Sequence, residues 1–415
     1  MSADLALYVH WPFCITKCPY CDFNSHVREG VDQKRWLTAL LADMRHEAAL
    51  TGLRRTGQTL GSIFFGGGTP SLMPPATVAA IIEEAQRLWP VSQDVEITLE
   101  ANPSSVEAAR FGDFAAAGVN RVSLGLQALD DSALKLLGRP HDLAQGLAAL
   151  DTAQRNFGRV SFDLIHTRPG QTAADWEAEL ARALSFGTGH ISAYQLTIEP
   201  GTRFHALFAK GLLTLPGEEE ATEMFEMTGA MCEAAGLPLY EISNHARPAE
   251  ASRHNRAYWT YGDYVGIGPG AHGRRNRTGT LRLRRPETWL KAVETHGHGL
   301  EAEEVISPAT AAGEALLMGL RLADGIEPGH FLERTGVALD VAVDGAARRR
   351  LEAMGYLAPA DAVAGRLVAT AAGRTLTNRL ILELSAASAA GLNGGDIAPS
   401  SARVVGLTSG TGESI

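Results

Sequence analysis

Short apolar runs alternate with longer stretches of helical period through the first two thirds of the chain. ALYVHW near Leu7, SIFF at Ser62–Phe65, VEITLE at Val95–Glu100, RVSLGLQ at Arg121–Gln127, VSFDLIH at Val160–His166 and HISAYQLT at His190–Thr197 have the length and residue types of strands. Between them PATVAAIIEEAQRLW, SVEAARFGDFAAAG, LAQGLAALDTAQRNFG and AADWEAELARALSFG repeat apolar residues with the helical period. This alternation predicts βα units around a parallel sheet, an α/β fold. A partial or full (β/α) barrel or a doubly wound sheet fits residues 1–290.

After about Leu300 the texture changes. PATAAGEALLMGLR, EPGHFLERTG and AARRRLEAMGYL read as short helices, and GRLVATAAGRTLTNRLILEL as a strand pair running into a last helix. Residues 300–385 are therefore expected to form a small α-rich domain, winged-helix-like in outline. Residues 386–415, rich in Gly, Ser and Ala, are expected to be a disordered tail.

A length of 415 residues accommodates both units. The net charge of −10 argues against a general nucleic-acid binder, and the small domain is itself acidic. The start of the chain has no basic leader region, and no apolar run reaches the ~20 residues of a membrane span. No integral membrane segment and a cytoplasmic location are expected. Four cysteines, three of them clustered, suit a metal or redox role in a reducing compartment better than a disulfide framework.

Those three are Cys14, Cys18 and Cys21 in YVHWPFCITKCPYCDF, spaced C-x3-C-x2-C. The fourth, Cys232, lies in a helical segment and is not expected to join them. A Cys3His zinc site completed by His26 is one reading. The other is a [4Fe-4S] cluster with three thiolates and one open iron. Spacing alone leaves both open. The loop follows the first strand directly, so in a barrel it sits at the C-terminal mouth, where active sites are built. The second strand ends in FFGGGTPS, whose glycines allow close backbone approach to a ligand. It lacks the Lys-Ser/Thr of a phosphate-binding P-loop.

Together these two strand ends resemble the radical SAM superfamily. The resemblance implies a [4Fe-4S] cluster on Cys14, Cys18 and Cys21, with Tyr20 before the last cysteine. S-adenosyl-L-methionine (SAM) would fill the open iron with its amino and carboxylate groups. The order of YVHWPFC, FFGGGTPS, LEANP, SLGLQ, LGRPH, FDLI, PGQT, LTIEPGT, GIGPGAHG and TNRLILEL further resembles the oxygen-independent coproporphyrinogen III oxidase family, from Leu7 to about Leu384. It implies a partial (β/α) barrel and a SAM-binding set of Tyr8, Tyr20, Gly67, Gly68, Thr69, Glu100, Gln127, Arg139 and Asp163. Arg139 would pair with the SAM carboxylate.

Within that family the oxidases resemble C-x3-C-x2-C-x-C and carry an N-terminal extension; here the fourth position is Phe23, and that extension is expected to be absent. CPYCDFNSH at Cys18–His26 and HNRAYW at His254–Trp259 instead resemble the heme-chaperone branch. That branch implies heme as ligand, with His254 as first candidate for the iron, Tyr258 and Trp259 as walls, and His272 or His245 as alternatives. GRRNRTGTLRLRR looks like an arginine-rich hairpin around a TGT turn, suited to heme propionates or simply solvated. The implied partners are heme, a heme-acceptor protein and an electron donor for the cluster if SAM is cleaved. One departure stands out: His166-Thr167-Arg168 replaces the Tyr-Gly-Leu usual in the family, and an arginine at that strand end could alter the cavity.

Three functions follow. One is a heme chaperone retaining a cluster and SAM. The second is a radical enzyme decarboxylating coproporphyrinogen propionates. The third is a nucleic-acid binder, which the charge disfavours. The small domain is expected to pack near the cluster mouth.

Overall fold

The computed structural model describes residues 5–28, 30–51 and 58–385. The segment expected to be a disordered tail lies outside the described residues. In chain order the strands are β1 Leu5–Trp11, β2 Phe13–Cys14, β3 His26–Val27, β4 Leu60–Gly67, β5 Val91–Ala101, β6 Arg121–Gln127 and β7 Arg159–His166. They continue with β8 His190–Gln195, β9 Leu239–Glu241, β10 Asn244–Ala246, β11 Tyr264–Ile267, β12 His272–Arg275, β13 Thr278–Arg282 and β14 Leu300–Val305. Each of the six apolar runs is a strand.

Twelve of these strands make one sheet in the order β14-β13-β12-β11-β1-β4-β5-β6-β7-β8-β10-β9. From β11 to β8 every neighbour is parallel, whereas the pairs outside β11 and β8 are antiparallel. β8 and β11 do not pair, so the barrel is partial. β1 reads LALYVHW, apolar at nearly every position, because a parallel strand covered by helices is buried on both faces. Helices Pro75–Leu88, Leu143–Asn156 and Ala173–Leu184 provide the cover, burying one stripe each. Leu143–Asn156 and Ala173–Leu184 begin with capping boxes at Asp142 and Thr172.

An aromatic stack anchors the loop that follows β1. Trp11, Phe13 and Trp36 lie edge to face with centroids 4.9–5.9 Å apart, and Trp36 stacks on Trp289 at 5.4 Å. Such pairs contribute about 0.5–1.5 kcal/mol each beyond area burial. They tie the residue before Cys14 to helices Gln33–Thr51 and Pro286–His296.

A second core gathers Leu316, Phe331, Leu351, Leu367, Leu380 and Leu384 from the C-terminal part of the chain with Trp259 and Tyr261 of the barrel. Because β14 still belongs to the large sheet, this part begins with helix Pro308–Gly319. Its contacts correct the expected placement. Tyr261 Oη donates to Glu314 at 2.5 Å, Arg256 pairs with Asp324 at 3.0 Å, and His330 Nε2 meets Thr260 O at 2.9 Å. All three lie at the N-terminal end of the barrel, away from the cysteines. The expected strand pair near the C-terminus is reduced to single bridges, Ile326–Leu367 and Leu357–Ala369.

The arginine hairpin also differs from expectation. The turn is Asn276-Arg277, both at positive φ, and Thr278-Gly279-Thr280 opens β13. Arg282 is fully buried between Asp43 at 3.3 Å and Glu47 at 2.6 Å. Arg275 binds Glu47 at 2.8 Å and also Glu303, and Arg274 lies 3.6 Å over the Tyr261 ring. These three hold the hairpin to helix Gln33–Thr51 and the barrel, which removes them from both the propionate-binding and the solvated readings.

Candidate functional site

The mouth is built where β1 and β4 end side by side. Their register aligns Tyr8 with Phe64, His10 with Gly66 and Trp11 with Gly67. Gly67 has φ +113, which side chains rarely adopt. A methyl group on Gly68 would lie 2.7 Å from Phe13 O and 3.0 Å from Cys14 Sγ. The absent side chains therefore let this strand end press on the cysteine loop. Gly68 N donates to Trp11 O at 2.7 Å and Thr69 N to Phe13 O at 2.8 Å.

Each cysteine sulfur meets a polar side chain. Thr69 Oγ1 donates to Cys14 Sγ at 3.5 Å, Arg139 Nη1 to Cys18 Sγ at 3.2 Å, and Ser25 Oγ lies 3.9 Å from Cys21 Sγ. Burial raises the Cys14 and Cys21 thiols above their usual range, and the charge of Cys18 adds to both, as does that of Cys14 on Cys21. Metal binding there must displace protons. Among the described residues no group of three or more His, Cys, Asp or Glu side chains converges on one metal-ion position. The ring of His26 instead meets Asn24 Oδ1 through Nε2, at 3.2 Å. A single zinc ion needs converging ligands, whereas a cluster spreads three thiolates over separate irons, so the donor set fits a cluster better.

Arg139 reaches Cys18, Asn102 and, at 3.0 Å, Gly125 O, so its guanidinium lies over the cysteine loop. Tyr20 packs 6.3 Å from Phe204, and burial raises its phenol. Gln127 ends β6 at φ +71, an uncommon place for a side-chain-bearing residue. Glu100 accepts Gly67 N at 3.3 Å. Burial, reinforced by Asp163, pushes Glu100 up to about 8. Burial pushes Asp163 up to about 6, against the hydrogen bond from Ser192, the charge of Arg121 and the Ser123 hydroxyl. Tyr8 Oη meets His10 Nδ1 at 3.0 Å, and His10 Nε2 meets Asn24 O at 3.0 Å. The expected SAM set thus gathers around the cysteines and the upper barrel interior. Cys232 is buried in helix Glu218–Ala234, its thiol pushed by burial up to about 12, and joins none of this.

His254, Tyr258 and Trp259 lie elsewhere. Helix Arg253–Trp259 closes the N-terminal end of the barrel. His254 is 4% exposed, stacked on Phe64 at 4.8 Å, with Nδ1 3.2 Å from Ser62 Oγ. Burial lowers its ring to about 4. Its Nε2 is buried without a hydrogen-bond partner among the described residues. A macrocycle could reach that atom only if the helix moved. Tyr258 packs on Tyr264 at 4.2 Å, and Trp259 faces the second core. His245 is buried on β10, and His272, on β12, is partly exposed.

The departure at His166-Thr167-Arg168 points away from the interior. Arg168 binds Glu179 on helix Ala173–Leu184 at 2.5 Å and donates to Ile165 O at 2.9 Å. His166 stacks on Trp176 at 5.0 Å. Thr167 has φ +58, where the family's usual glycine would be unstrained. The arginine therefore does not intrude on the cavity.

Several interior residues escaped sequence reasoning. Arg121 Nη2 donates to Ser161 Oγ at 2.9 Å, Ser161 to Ser123 at 2.9 Å, and Ser123 to Asp163 at 3.4 Å. Asn102 Nδ2 donates to Thr69 at 3.1 Å. Asn24 Nδ2 donates to Pro269 O at 2.8 Å and Arg284 O at 2.9 Å, clasping the cysteine loop to the GIGPGAHG segment. The signal was present: polar residues two apart in Arg121/Ser123, Ser161/Asp163 and Ser192/Tyr194 mark one strand face.

Residues 8–183 match the Radical SAM superfamily model. The chain is 42% identical over 339 residues to Radical S-adenosyl methionine domain-containing protein 1, mitochondrial, of Bos taurus, covering 80% of this chain and 76% of that protein. It is 37% identical over 340 residues to Heme chaperone HemW of Escherichia coli, covering 81% and 88%. To Heme chaperone HemW of Mycobacterium tuberculosis it is 33% identical over 382 residues, covering 91% and 94%. The coproporphyrinogen III oxidase HemN of Escherichia coli superposes with a TM-score of 0.75 over 92% of this chain and 90% of that one; at 21% identity this likeness concerns the fold. With the cysteine loop and glycine strand end at one barrel mouth, these similarities show that the chain belongs to the radical SAM superfamily, in the family of the HemW heme chaperones.

Proposed function

We propose that the chain is a heme chaperone that binds heme together with a [4Fe-4S] cluster and SAM and passes the heme to an acceptor protein. The observation that carries this reading is the similarity to proteins named heme chaperones along most of both chains. Phe23, in place of the fourth cysteine of the oxidases, supports it. Cys14, Cys18 and Cys21 hold the cluster. Gly67, Gly68, Thr69, Glu100, Gln127, Asp163 and Tyr8 surround SAM, with Tyr20 at the loop. The cluster, when bound, supplies an electron at the mouth, drawn from a donor protein if SAM is cleaved. The Thr69 hydroxyl and Arg139 guanidinium stabilise thiolate charge on Cys14 and Cys18. Glu100, with no ion-pair partner among the described residues, is placed to accept from a ligand ammonium or hydroxyl.

Among the described residues no helix is long and apolar enough to cross a membrane. We place the chain in the cytoplasm, although the bovine relative's name is mitochondrial. The test is heme titration of anaerobically reconstituted protein, with product analysis after adding SAM, an electron donor and coproporphyrinogen. Stoichiometric heme binding without a divinyl product is expected. Conversion of coproporphyrinogen would establish the oxidase instead.

A further inference from the structure

Three side chains from outside the cysteine loop join two of its sulfurs in one hydrogen-bonded arc. Arg139 Nη1 donates to Cys18 Sγ at 3.2 Å, and its Nη2 donates to Asn102 Oδ1. Asn102 Nδ2 donates to Thr69 Oγ1 at 3.1 Å, and Thr69 Oγ1 donates to Cys14 Sγ at 3.5 Å. The guanidinium supplies the charge, and both branches of donors run away from it to a sulfur. An arginine does not lose its proton in a protein, so this cation is permanent. The arc is braced by backbone. Arg139 N donates to Leu134 O at 2.9 Å, and Nη2 also donates to Gly125 O at 3.0 Å. Gly138 has φ +65, and a methyl group on it would lie 2.7 Å from Pro19 Cδ, so the turn that carries Arg139 presses on the residue after Cys18. Asn102 N donates to Glu107 Oε2 at 2.9 Å. Cys21 stands outside the arc, with Ser25 Oγ at 3.9 Å. Arg139 Nε is buried without a partner among the described residues and remains for a ligand carboxylate.

We infer that Asn102 is a positioning residue that, with Arg139 and Thr69, sets the reduction potential of the cluster through the Cys14 and Cys18 sulfurs. This inference rests on the cluster reading under the proposed function and goes beyond it to the control of the electron step. Hydrogen bonds to the sulfurs tune a cluster's potential, because they favour the reduced state with its extra negative charge. A bond from a cation is roughly twice as strong as one between neutral groups. Bonds in a chain polarise one another. Asn102 therefore passes the polarising effect of Arg139 on to Thr69, and the neutral hydroxyl at Cys14 donates more strongly than it would alone. The arc makes the cluster easier to reduce, and Asn102 is the residue that lets one buried cation serve two sulfurs.

The test is a potentiometric titration of the anaerobically reconstituted full chain without SAM, read by the EPR signal of the reduced cluster. Arg139→Gln is expected to lower the reduced-to-oxidised ratio at a fixed potential about tenfold, a shift of ~59 mV to more negative potential for one electron. Asn102→Ala should lower the ratio several-fold in the same direction, with iron and sulfide content unchanged. The double variant should fall short of the sum of the two shifts, because both substitutions break the same arc. Asn102→Leu, close to asparagine in size but without its hydrogen bonds, should repeat the shift if Asn102→Ala takes up iron poorly. An unchanged potential in the Asn102 variants would overturn the inference, as would fully additive shifts, or loss of iron uptake in both Asn102 variants, which would mark a structural brace only. Failure of the unaltered chain to take up iron and sulfide would instead overturn the cluster reading itself.

Discussion

Glu96 and Glu100 sit on the same strand, four residues apart, and so face the same barrel interior. Their surroundings could hardly differ more. Glu96 accepts from Arg159 at 2.6 Å, from the Arg253 and His254 amides at 3.1 and 3.2 Å, and from Ser252 Oγ at 3.3 Å. Burial alone would raise its pKa, but Arg121, Arg159 and the two amides outweigh it and hold the group below its usual range. Glu100 has one backbone amide, and burial with Asp163 nearby pushes it up to about 8. The first carboxylate is satisfied by the protein. The second is left wanting a cation or donors. The floor of the barrel is built for stability, and the mouth for a ligand.

Removing each carboxylate sharpens the contrast. Glu96→Gln strips an ionic partner from Arg159 and leaves one acceptor oxygen where two meet the first amides of helix Arg253–Trp259, so a loss of about 3–5 kcal/mol in chemical denaturation is expected. Glu100→Gln should not destabilise cofactor-free protein, and at pH 9 should stabilise it by on the order of 2 kcal/mol while abolishing SAM binding. Equal losses in both variants would break the comparison.

The pH dependence has a definite sign. Glu100 is raised from its ordinary 4.5 to about 8, and Asp163 from 3.8 to about 6. Between those limits the folded form holds protons that the unfolded chain has released. Stability of cofactor-free protein should therefore fall as pH rises from about 4 to about 8, by a few kcal/mol, and level off above. In Glu100→Gln the part of this slope above pH 6 should disappear. A slope that survives the substitution would place the titrating group elsewhere.

Smaller effects come from backbone positions. Gly68→Ala would place a methyl group 2.7 Å from Phe13 O, so a loss of about 2 kcal/mol and reduced iron uptake are expected. Thr167→Gly, away from the mouth, relieves a positive φ and should change stability by no more than about 1 kcal/mol, toward stabilisation, with iron uptake unchanged.

Much of the mouth was legible in the sequence because it is local. Cys14, Cys18 and Cys21 share one loop, and the glycines that meet them end the neighbouring strand. The alternation of strands and helices fixed which strand ends those were. The floor was not legible, because its contacts join distant segments. Nothing near His254 announces that Glu96, separated by 158 positions, accepts its amide, or that Trp259 belongs to a second core. A His beside aromatics reads equally as ligand or as packing until its exposure is known. Arg282 shows the same limit. In sequence it looks like part of a basic surface hairpin, and its carboxylate partners Asp43 and Glu47 come from a helix more than two hundred residues earlier.

Hydrogen exchange of the anaerobically reconstituted chain, with and without SAM, tests most directly whether the ligand enters at the mouth and not at the floor. SAM is expected to slow exchange in residues 64–69, 99–102 and 125–128, with residues 253–259 unchanged. SAM-dependent change confined to residues 253–259, with none in residues 64–69, would contradict the account.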